Sequence, residues 1–184
     1  MQRKPQALPL LILVDISGSM ERYARLLLAF LHQATRGTPR QIYAFGTDLT
    51  DLNQAFKLRD TDDMLTLASR QIQDFAGGTQ LGKSLTHFRS HFAKKLTGRR
   101  TVVLLISDGL DTGTAETLDS EIVWLKRHTR SLLWLNPLLR FDGYAPIATG
   151  ASVLNRHVDG MLAIHNLSRL EELAQALTKL LKTN

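Results

Sequence analysis

The sequence predicts an α/β domain, a doubly wound and mostly parallel sheet with one antiparallel edge strand and helices on both faces. Apolar runs without polar alternation lie at residues 8–14 and 101–107, which is typical of strands buried on both faces. Segments with helical periodicity alternate with the strands through most of the chain. This alternation indicates a parallel sheet, because parallel neighbours need long crossover connections that are usually helical.

The individual elements follow from local periodicity and from the residues that begin or end them. Strands are predicted over residues 8–14, 41–45, 101–107, 131–135 and 161–164, with a weaker, more polar edge strand over 48–56. Helices are predicted over 20–36, 60–75, 81–96, 114–130 and 168–182, with 144–157 irregular or briefly helical. Thr61 and Ser168 are the predicted N-caps of their helices, and Glu171 stands at the capping-box position after Ser168.

Length and composition limit the classes of protein to consider. A chain of 184 residues suits one domain over residues 1–184, and at this length about 70% of the unfolded surface is buried, enough to fold without crosslinks. The absence of cysteine excludes disulfides, thiolate nucleophiles and cysteine-based metal sites. The first apolar run, residues 8–14, is far shorter than the roughly 20 residues of a membrane span, so we expect a cytoplasmic protein that does not bind membranes.

The net charge of +6 is concentrated in one segment. Residues 75–107 contain six basic residues and no acidic one, so the remaining 17 basic and 17 acidic residues balance. Most of this charge falls toward the far end of the predicted helix over 81–96 and in the turn after it, where it complements the helix dipole. It forms a candidate basic patch for an acidic partner: Arg89, Lys94, Lys95, Arg99 and Arg100. Nucleic-acid binding is disfavoured because the patch has no interleaved aromatic residues.

Oxygen-bearing side chains follow the predicted strands where a doubly wound sheet binds its ligands. Asp15, Ser17 and Ser19 come directly after the first strand, Thr79 lies in a glycine-containing loop, and Asp108 follows the strand over 101–107. An all-oxygen set with two carboxylates suits a hard cation, Mg²⁺ first, with Mn²⁺ or Ca²⁺ as alternatives. Gly18, Gly78 and Asp111 are candidate rim residues of the same site.

These five positions resemble a known constellation. Asp15-x-Ser17-x-Ser19, Thr79 and Asp108 match all five positions of the metal-ion-dependent adhesion site (MIDAS) of von Willebrand factor A (VWA) domains. The resemblance implies that Ser17, Ser19 and Thr79 contact the metal, while Asp15 and Asp108 anchor it or its waters. It also implies a non-catalytic domain whose metal accepts a carboxylate from a protein partner.

A narrower resemblance is to CoxE-like bacterial VWA proteins. It rests on residues 106–113, on Leu133-Trp134-Leu135-Asn136-Pro137-Leu138, on Tyr144-x-Pro146 and on residues 158–167. Leu110 stands where that pattern often has Trp. The resemblance implies an adaptor that works with a MoxR-type AAA+ ATPase in maturing or remodelling a metalloenzyme or another complex. CoxE-like proteins usually carry a further N-terminal region, so we expect a fragment or a short form.

Several alternatives compete with this interpretation. In one alternative, Asp15, Ser17 and Ser19 bind no metal and serve as caps of the first helix. In another, the protein is a metal-dependent hydrolase that uses the same ion, with Asp111 as its general base. Asp15 as a phosphatase-type nucleophile would need a general acid where Ser17 stands. Residues 77–83 lack the spacing of a phosphate loop, and Asp108-Gly109-x-Asp111 lacks the rest of an EF-hand. His87 and His91 have the spacing of a zinc pair but no evident third ligand.

Overall fold

The computed structural model describes residues 7–73, 77–96, 98–137 and 148–164, together with Glu171, Glu172, Gln175, Ala176 and Lys179. Six strands form one sheet in the order β3-β2-β1-β4-β5-β6. Among the described strands, β3 alone is antiparallel to its neighbour, which confirms the predicted fold class. The strands are β1 Leu10–Asp15, β2 Arg40–Phe45, β3 Leu49–Asp51, β4 Gly98–Ile106, β5 Thr129–Asn136 and β6 Gly160–Ala163.

Helices connect these strands. A 3₁₀ turn over Gly18–Met20 leads from β1 into the first helix. The helices are α1 Glu21–Ala34, α2 Asn53–Phe56, α3 Thr61–Gln71, α4 Leu81–His91, α5 Ala93–Leu96, α6 Ala115–His128 and α7 Thr149–His157.

The central strands are buried on both faces because alternate side chains enter two separate cores. On β1, Ile12 and Val14 pack into the core that contains α1 and α3. Leu11 and Leu13 pack into the opposite core with α4, α6 and α7. Full burial of β1 explains why its sequence is a continuous apolar run rather than an alternating one.

The sheet changes direction between β1 and β4. The chain leaves β1 toward β2 on one side, whereas β4 pairs with β1 on the other, with Val14 opposite Ile106. The loops that follow β1 and β4 therefore diverge and leave a crevice at the carboxyl ends of these strands, the usual ligand position in such sheets.

Several predicted elements differ in extent. The edge strand covers only Leu49–Asp51, because the Asp51 carboxylate accepts the Asn53 amide at 2.8 Å and the chain turns into α2. The helix predicted over 81–96 ends at His91, and the Phe92 ring packs 5.1 Å from the Tyr43 ring. The helix over 144–157 is regular from Thr149. The helix predicted over 168–182, with the cap at Ser168, lies mostly outside the described residues.

The predicted cap of α3 was wrong by one residue. The Asp60 carboxylate accepts the Asp63 amide at 2.9 Å and caps the helix. Thr61 instead lies in the first turn, where its hydroxyl contacts His32 Nδ1 at 3.0 Å. Both residue types are good caps, and only the packing of α3 against α1 assigns them.

Replacing Asp60 by alanine is expected to lower the free energy of unfolding by about 1 kcal/mol, because a helix amide loses its acceptor. Asp62→Ala is the matched control: it removes a first-turn carboxylate that favours the helix dipole by only about 0.5 kcal/mol. Urea denaturation of both variants measures the difference, and equal losses would contradict the assignment of Asp60 as the cap.

Candidate metal centre

Asp15 is the last residue of β1 and is completely buried. Its position follows from the strand register, in which Asp15 lies opposite Phe45 of β2. The backbone after it remains ordered by the sheet, since the Ile16 amide donates to the Phe45 carbonyl at 2.9 Å. The carboxylate is thus fixed at the crevice between the diverging loops.

The Asp15 carboxylate contacts all three loops of the site. Oδ1 accepts the Ser17 amide at 2.9 Å and lies 3.5 Å from the Thr79 hydroxyl. Oδ2 accepts the Ser107 hydroxyl at 2.7 Å. A single buried side chain therefore holds the loop after β1, the loop before α4 and the loop after β4 in one arrangement.

Burial raises the pKa of Asp15 to about 6, because removal from water disfavours its charged form. Hydrogen bonds from Ser17 and Ser107 act in the opposite direction, and the nearby charge of Asp108 raises the pKa further. Both carboxylates are buried, and the charge of Asp108 acts on Asp15, so a cation bound near them would relieve their repulsion.

The two serines of the first loop lie side by side. Their hydroxyl oxygens are 3.2 Å apart, with Ser17 buried and Ser19 exposed. The amide of Gly18 between them donates to the Gly77 carbonyl at 3.3 Å, which joins this loop to the loop of Thr79.

Thr79 is also held through its backbone carbonyl. Its carbonyl accepts both the amide and the hydroxyl of Thr112, each at 2.8 Å. A Cβ at Gly78 would make an ordinary van der Waals contact with the Thr112 hydroxyl, at 3.6 Å, so the loop of Thr79 packs directly on Thr112. The Thr79 side chain is 4% exposed and directed at Asp15, so its hydroxyl is part of the floor of the crevice.

The third loop is a rigid turn after β4. Asp108 is buried and its Oδ1 accepts the Leu110 amide at 3.0 Å. The Ser107 hydroxyl accepts the Gly109 amide at 3.0 Å, and the Ser107 carbonyl accepts the Trp134 indole N–H at 2.8 Å. Gly109 has φ +81° and a Cβ there would lie 2.9 Å from Trp134, so both conformation and space require glycine.

These loops surround an open cleft of about 490 Å³. Its walls include the predicted hydroxyl ligands, the predicted rim residues and Leu110. The Leu110 side chain is half exposed. The lining residues are Ser17, Gly18, Ser19, Gly77, Gly78, Thr79, Leu110, Asp111, Thr112 and Ala148. Asp15 and Asp108 are absent from this lining, so the carboxylates lie beneath the hydroxyls and away from solvent.

Asp111 has a local structural role at the rim. Its Oδ1 accepts the Leu81 amide at 3.0 Å and so satisfies the first turn of α4. Gly150 of α7 packs directly against this loop, since a Cβ there would lie 2.6 Å from the Gly109 carbonyl and 2.7 Å from the Asp111 Cβ. The loop after β4 is therefore fixed by α4 on one side and α7 on the other.

The arrangement fits a hard divalent cation. Two oxygens in adjacent positions around Mg²⁺ are about 3 Å apart, given metal–oxygen distances near 2.1 Å. The Ser17–Ser19 hydroxyl pair, at 3.2 Å, matches this spacing. The Thr79–Asp15 pair, at 3.5 Å, is slightly wider. The donors are all oxygen, and no group of three or more His, Cys, Asp or Glu side chains that could hold a metal lies among the described residues.

Sequence reasoning missed Ser107, Thr112 and Gly150. The sequence predicts Ser107 as the last residue of a strand, whereas in the structure its hydroxyl joins Asp15 to the turn at Gly109. Its position directly before Asp108 was the available signal. Thr112 and Gly150 act through contacts with residues distant in sequence, which no local pattern indicates.

The other candidate groups lie away from the cleft. His87 and His91 are exposed on α4 with their ring centroids 4.5 Å apart. Arg89 pairs with Glu121 at 3.5 Å and stacks over the Trp124 ring at 5.0 Å. Lys94, Arg99 and Arg100 are exposed near the amino end of β4, at the opposite end of the strand from Asp108, and the Lys95 side chain lies outside the described residues.

A sequence model of the family described as "VWA domain containing CoxE-like protein" matches residues 1–170. No curated protein sequence matches the chain. Within the part of the chain that the structure describes, no helix combines the length and apolarity needed to cross a membrane.

Solved structures with the same fold include three informative ones. The von Willebrand factor type A protein from Catenulispora acidiphila is 15% identical with a TM-score of 0.66, over 96% of this chain and 43% of that one. Proximal thread matrix protein 1 from the mussel byssus, with a zinc-occupied MIDAS motif, is 16% identical with a TM-score of 0.61, over 98% and 49%. BatB from Bacteroides thetaiotaomicron is 16% identical with a TM-score of 0.58, over 96% and 100%. The chain spans about half the length of the first two proteins.

The buried carboxylate makes the metal-free protein sensitive to pH in a defined direction. The pKa of Asp15 is about 6 in the folded state against 3.8 for an unperturbed carboxyl, so the charged group destabilises the fold above pH 6. That loss disappears as the pH falls toward 4, because the folded state then holds the proton more tightly than the unfolded state.

Asp15→Asn removes this titration. In chelator, the free energy of unfolding of wild type relative to Asp15→Asn should fall by on the order of 2 kcal/mol between pH 4 and pH 7.5. Denaturant titrations of both proteins at several pH values measure the difference. A difference that does not vary with pH would show that Asp15 is not a desolvated carboxylate. Asp48→Asn, on an exposed loop, serves as the control.

Proposed function

The chain belongs to the CoxE-like family of VWA-domain proteins, and we propose that it binds a divalent metal ion in the cleft and, through that ion, an acidic side chain of a protein partner. The observation that carries this proposal is the contact of one buried carboxylate, Asp15, with the hydroxyl-bearing loops of Ser17, Thr79 and Ser107. If Asp15, Ser17 and Ser19 served only as caps of α1, the contact of Asp15 with Thr79, 64 residues away in the sequence, would have no role.

Each residue would have a distinct task around the metal. Ser17, Ser19 and Thr79 would supply hydroxyl ligands, and Asp15 and Asp108 would anchor the ion or its waters from below. The ion, when bound, supplies a Lewis-acidic coordination position at the open side of the cleft. Mg²⁺ is the proposed ion because all donors are hard oxygens. Mn²⁺ and Ca²⁺ are alternatives, and the zinc-occupied MIDAS of the mussel protein adds Zn²⁺ to the ions to test.

The cleft walls favour a protein ligand. The two carboxylates lie beneath the hydroxyls, so an incoming ligand reaches the metal from the hydroxyl side alone. Leu110 offers an apolar contact beside that approach, with 46% of its surface exposed. A partner residue with a carboxylate would bind the ion, and an apolar neighbour of that residue would cover Leu110.

We assign no catalytic activity to the site. The hydrolase alternative requires Asp111 as a general base, but its Oδ1 is engaged by the Leu81 amide. The histidines His87 and His91 lie on the exposed surface of α4 and not among the residues lining the cleft. The hydroxyls of Ser17 and Ser19 contact each other rather than a base suited to activate a nucleophile.

Family membership supports the wider role. We propose a cytoplasmic adaptor that recognises a target through the metal while a MoxR-type AAA+ ATPase supplies the work, in maturing or remodelling a metalloenzyme or another complex. The site accounts for target recognition only, and the ATPase is inferred from the CoxE-like family.

Metal binding should be measurable without the partner. Mg²⁺ or Mn²⁺ is expected to raise the melting temperature of wild type and to bind with a one-to-one stoichiometry in calorimetry, because binding to the folded state alone stabilises it. Asp15→Asn should keep its fold and lose this response. Asp48→Asn, which removes an exposed carboxylate of an ion pair with Lys83, should respond as wild type. A full metal response of Asp15→Asn would refute the site.

Leu110 should affect partner binding without affecting the metal. Leu110→Ser is expected to weaken binding of a captured partner about tenfold, because a half-buried apolar contact is lost, with Mg²⁺ affinity unchanged. Leu26→Ser is the matched control, since Leu26 on α1 is equally exposed, at 47%, and does not line the cleft. Equal partner affinity of Leu110→Ser and wild type would remove Leu110 from the interface.

A further inference from the structure

The end of the sheet opposite the metal site carries a second charged surface, in which the sheet brings residues of the basic segment beside arginines distant from it in sequence. Lys94 of α5 and Arg99 and Arg100 of β4 belong to the basic segment found in the sequence. β5 lies beside β4 in the sheet and contributes Arg130. The last turn of α6, directly before β5, contributes Arg127. All five side chains are exposed, and we call Lys94, Arg99, Arg100, Arg127 and Arg130 the basic surface.

An irregularity in the sheet forms this surface. Gly98 of β4 pairs with Thr129 of β5, and the next pair along the strands is Val102 with Ser131. Three residues of β4 therefore lie opposite a single residue of β5, Arg130. A regular strand would direct consecutive side chains to opposite faces. Here Arg99 and Arg100 are both exposed, whereas Thr101 is 5% exposed. The bulge therefore directs two arginines outward beside a third.

Repulsion among the charges of the basic surface lowers the stability of the domain when no partner is bound. Like charges on neighbouring strands repel, and Lys94, Arg99, Arg127 and Arg130 form no ion pair with any described residue. Asp159, which pairs with Lys126 at 3.1 Å, is already partnered. The helix dipole favours Arg127 at the end of α6, but it does not account for Arg99 and Arg130 on the strands.

Charge and surface chemistry select the partner. We propose that the basic surface docks an acidic surface of a protein, separately from the metal site. The four large apolar residues that are exposed in the described chain, Leu26, Leu58, Leu110 and Leu162, lie outside it, which disfavours membrane insertion. The Trp124 ring on α6 is covered by Arg89 at 5.0 Å and by the His128 ring at 4.5 Å, so it is not free to stack on a nucleic-acid base.

The two surfaces are electrostatically independent. From Arg100 to Asp108 the chain advances eight residues along an extended path, about 25 Å. This exceeds the screening length of about 8 Å at physiological salt, so charges of the basic surface do not act on the metal. One domain can therefore hold two acidic partners, or two parts of one partner, at opposite ends of its sheet.

Fluorescence anisotropy with a labelled ten-residue poly-glutamate peptide tests the proposal in the presence of chelator, which removes the metal site from the measurement. Wild type should bind the peptide, and affinity should fall steeply as salt rises. Arg99→Glu with Arg130→Glu should lower the affinity at least about tenfold. Lys57→Glu with Arg70→Glu, two exposed basic residues elsewhere that give the same net charge, should stay within about twofold of wild type.

Three results would overturn the proposal. The Arg99 and Arg130 variant could bind as wild type, or the control variant could lose as much affinity and so show an effect of net charge alone. Duplex DNA or phosphatidylserine vesicles could bind these residues more tightly than the peptide, which would assign the surface to a different partner. Arg99→Gln with Arg130→Gln keeps the test valid if charge reversal unfolds the domain.

Discussion

The arrangement of the site depends on burying the carboxylate of Asp15 at the end of a fully apolar strand. Its two oxygens contact Ser17, Thr79 and Ser107, which belong to three different loops, and Ser107 lies 92 residues after Asp15 in the sequence. The cost of this burial is visible as a pKa raised to about 6. A fold selected for stability alone would place an apolar or neutral residue here, so the carboxylate indicates a function that uses its charge.

The topology of the sheet makes that convergence possible. Because β4 inserts beside β1 on the side opposite β2, the loops after β1 and β4 diverge and expose the floor between them. Trp134 of β5 and Gly150 of α7 then fix the turn at Gly109 from two sides. Rigid support of this kind keeps the oxygens in place without the metal, which lowers the ordering cost of binding.

Much of this architecture could be predicted because its signals are local. Fully buried strands, the positions of Asp15 and Asp108 after them, and the order of elements all follow from patterns of a few residues. The cap of α3 could not be assigned, since Asp60 and Thr61 are both good caps and the choice depends on the contact of Thr61 with His32. Ser107, Thr112 and Gly150 escaped prediction for the same reason: their roles are contacts across the fold. The exposure of Arg99 and Arg100 opposite Arg130 depends on the bulge between β4 and β5, which no local pattern indicates.

The most direct test of the account is where a metal ion binds. Paramagnetic Mn²⁺ broadens the amide resonances of nearby residues in a ¹H–¹⁵N correlation spectrum of the labelled protein. We predict that substoichiometric Mn²⁺ broadens first the amides of Ser17, Ser19, Thr79 and Leu110, and that excess Mg²⁺ restores them. Broadening centred on His87 and His91, or spread evenly over the acidic residues of the surface, would contradict the claim that Asp15 organises a metal site.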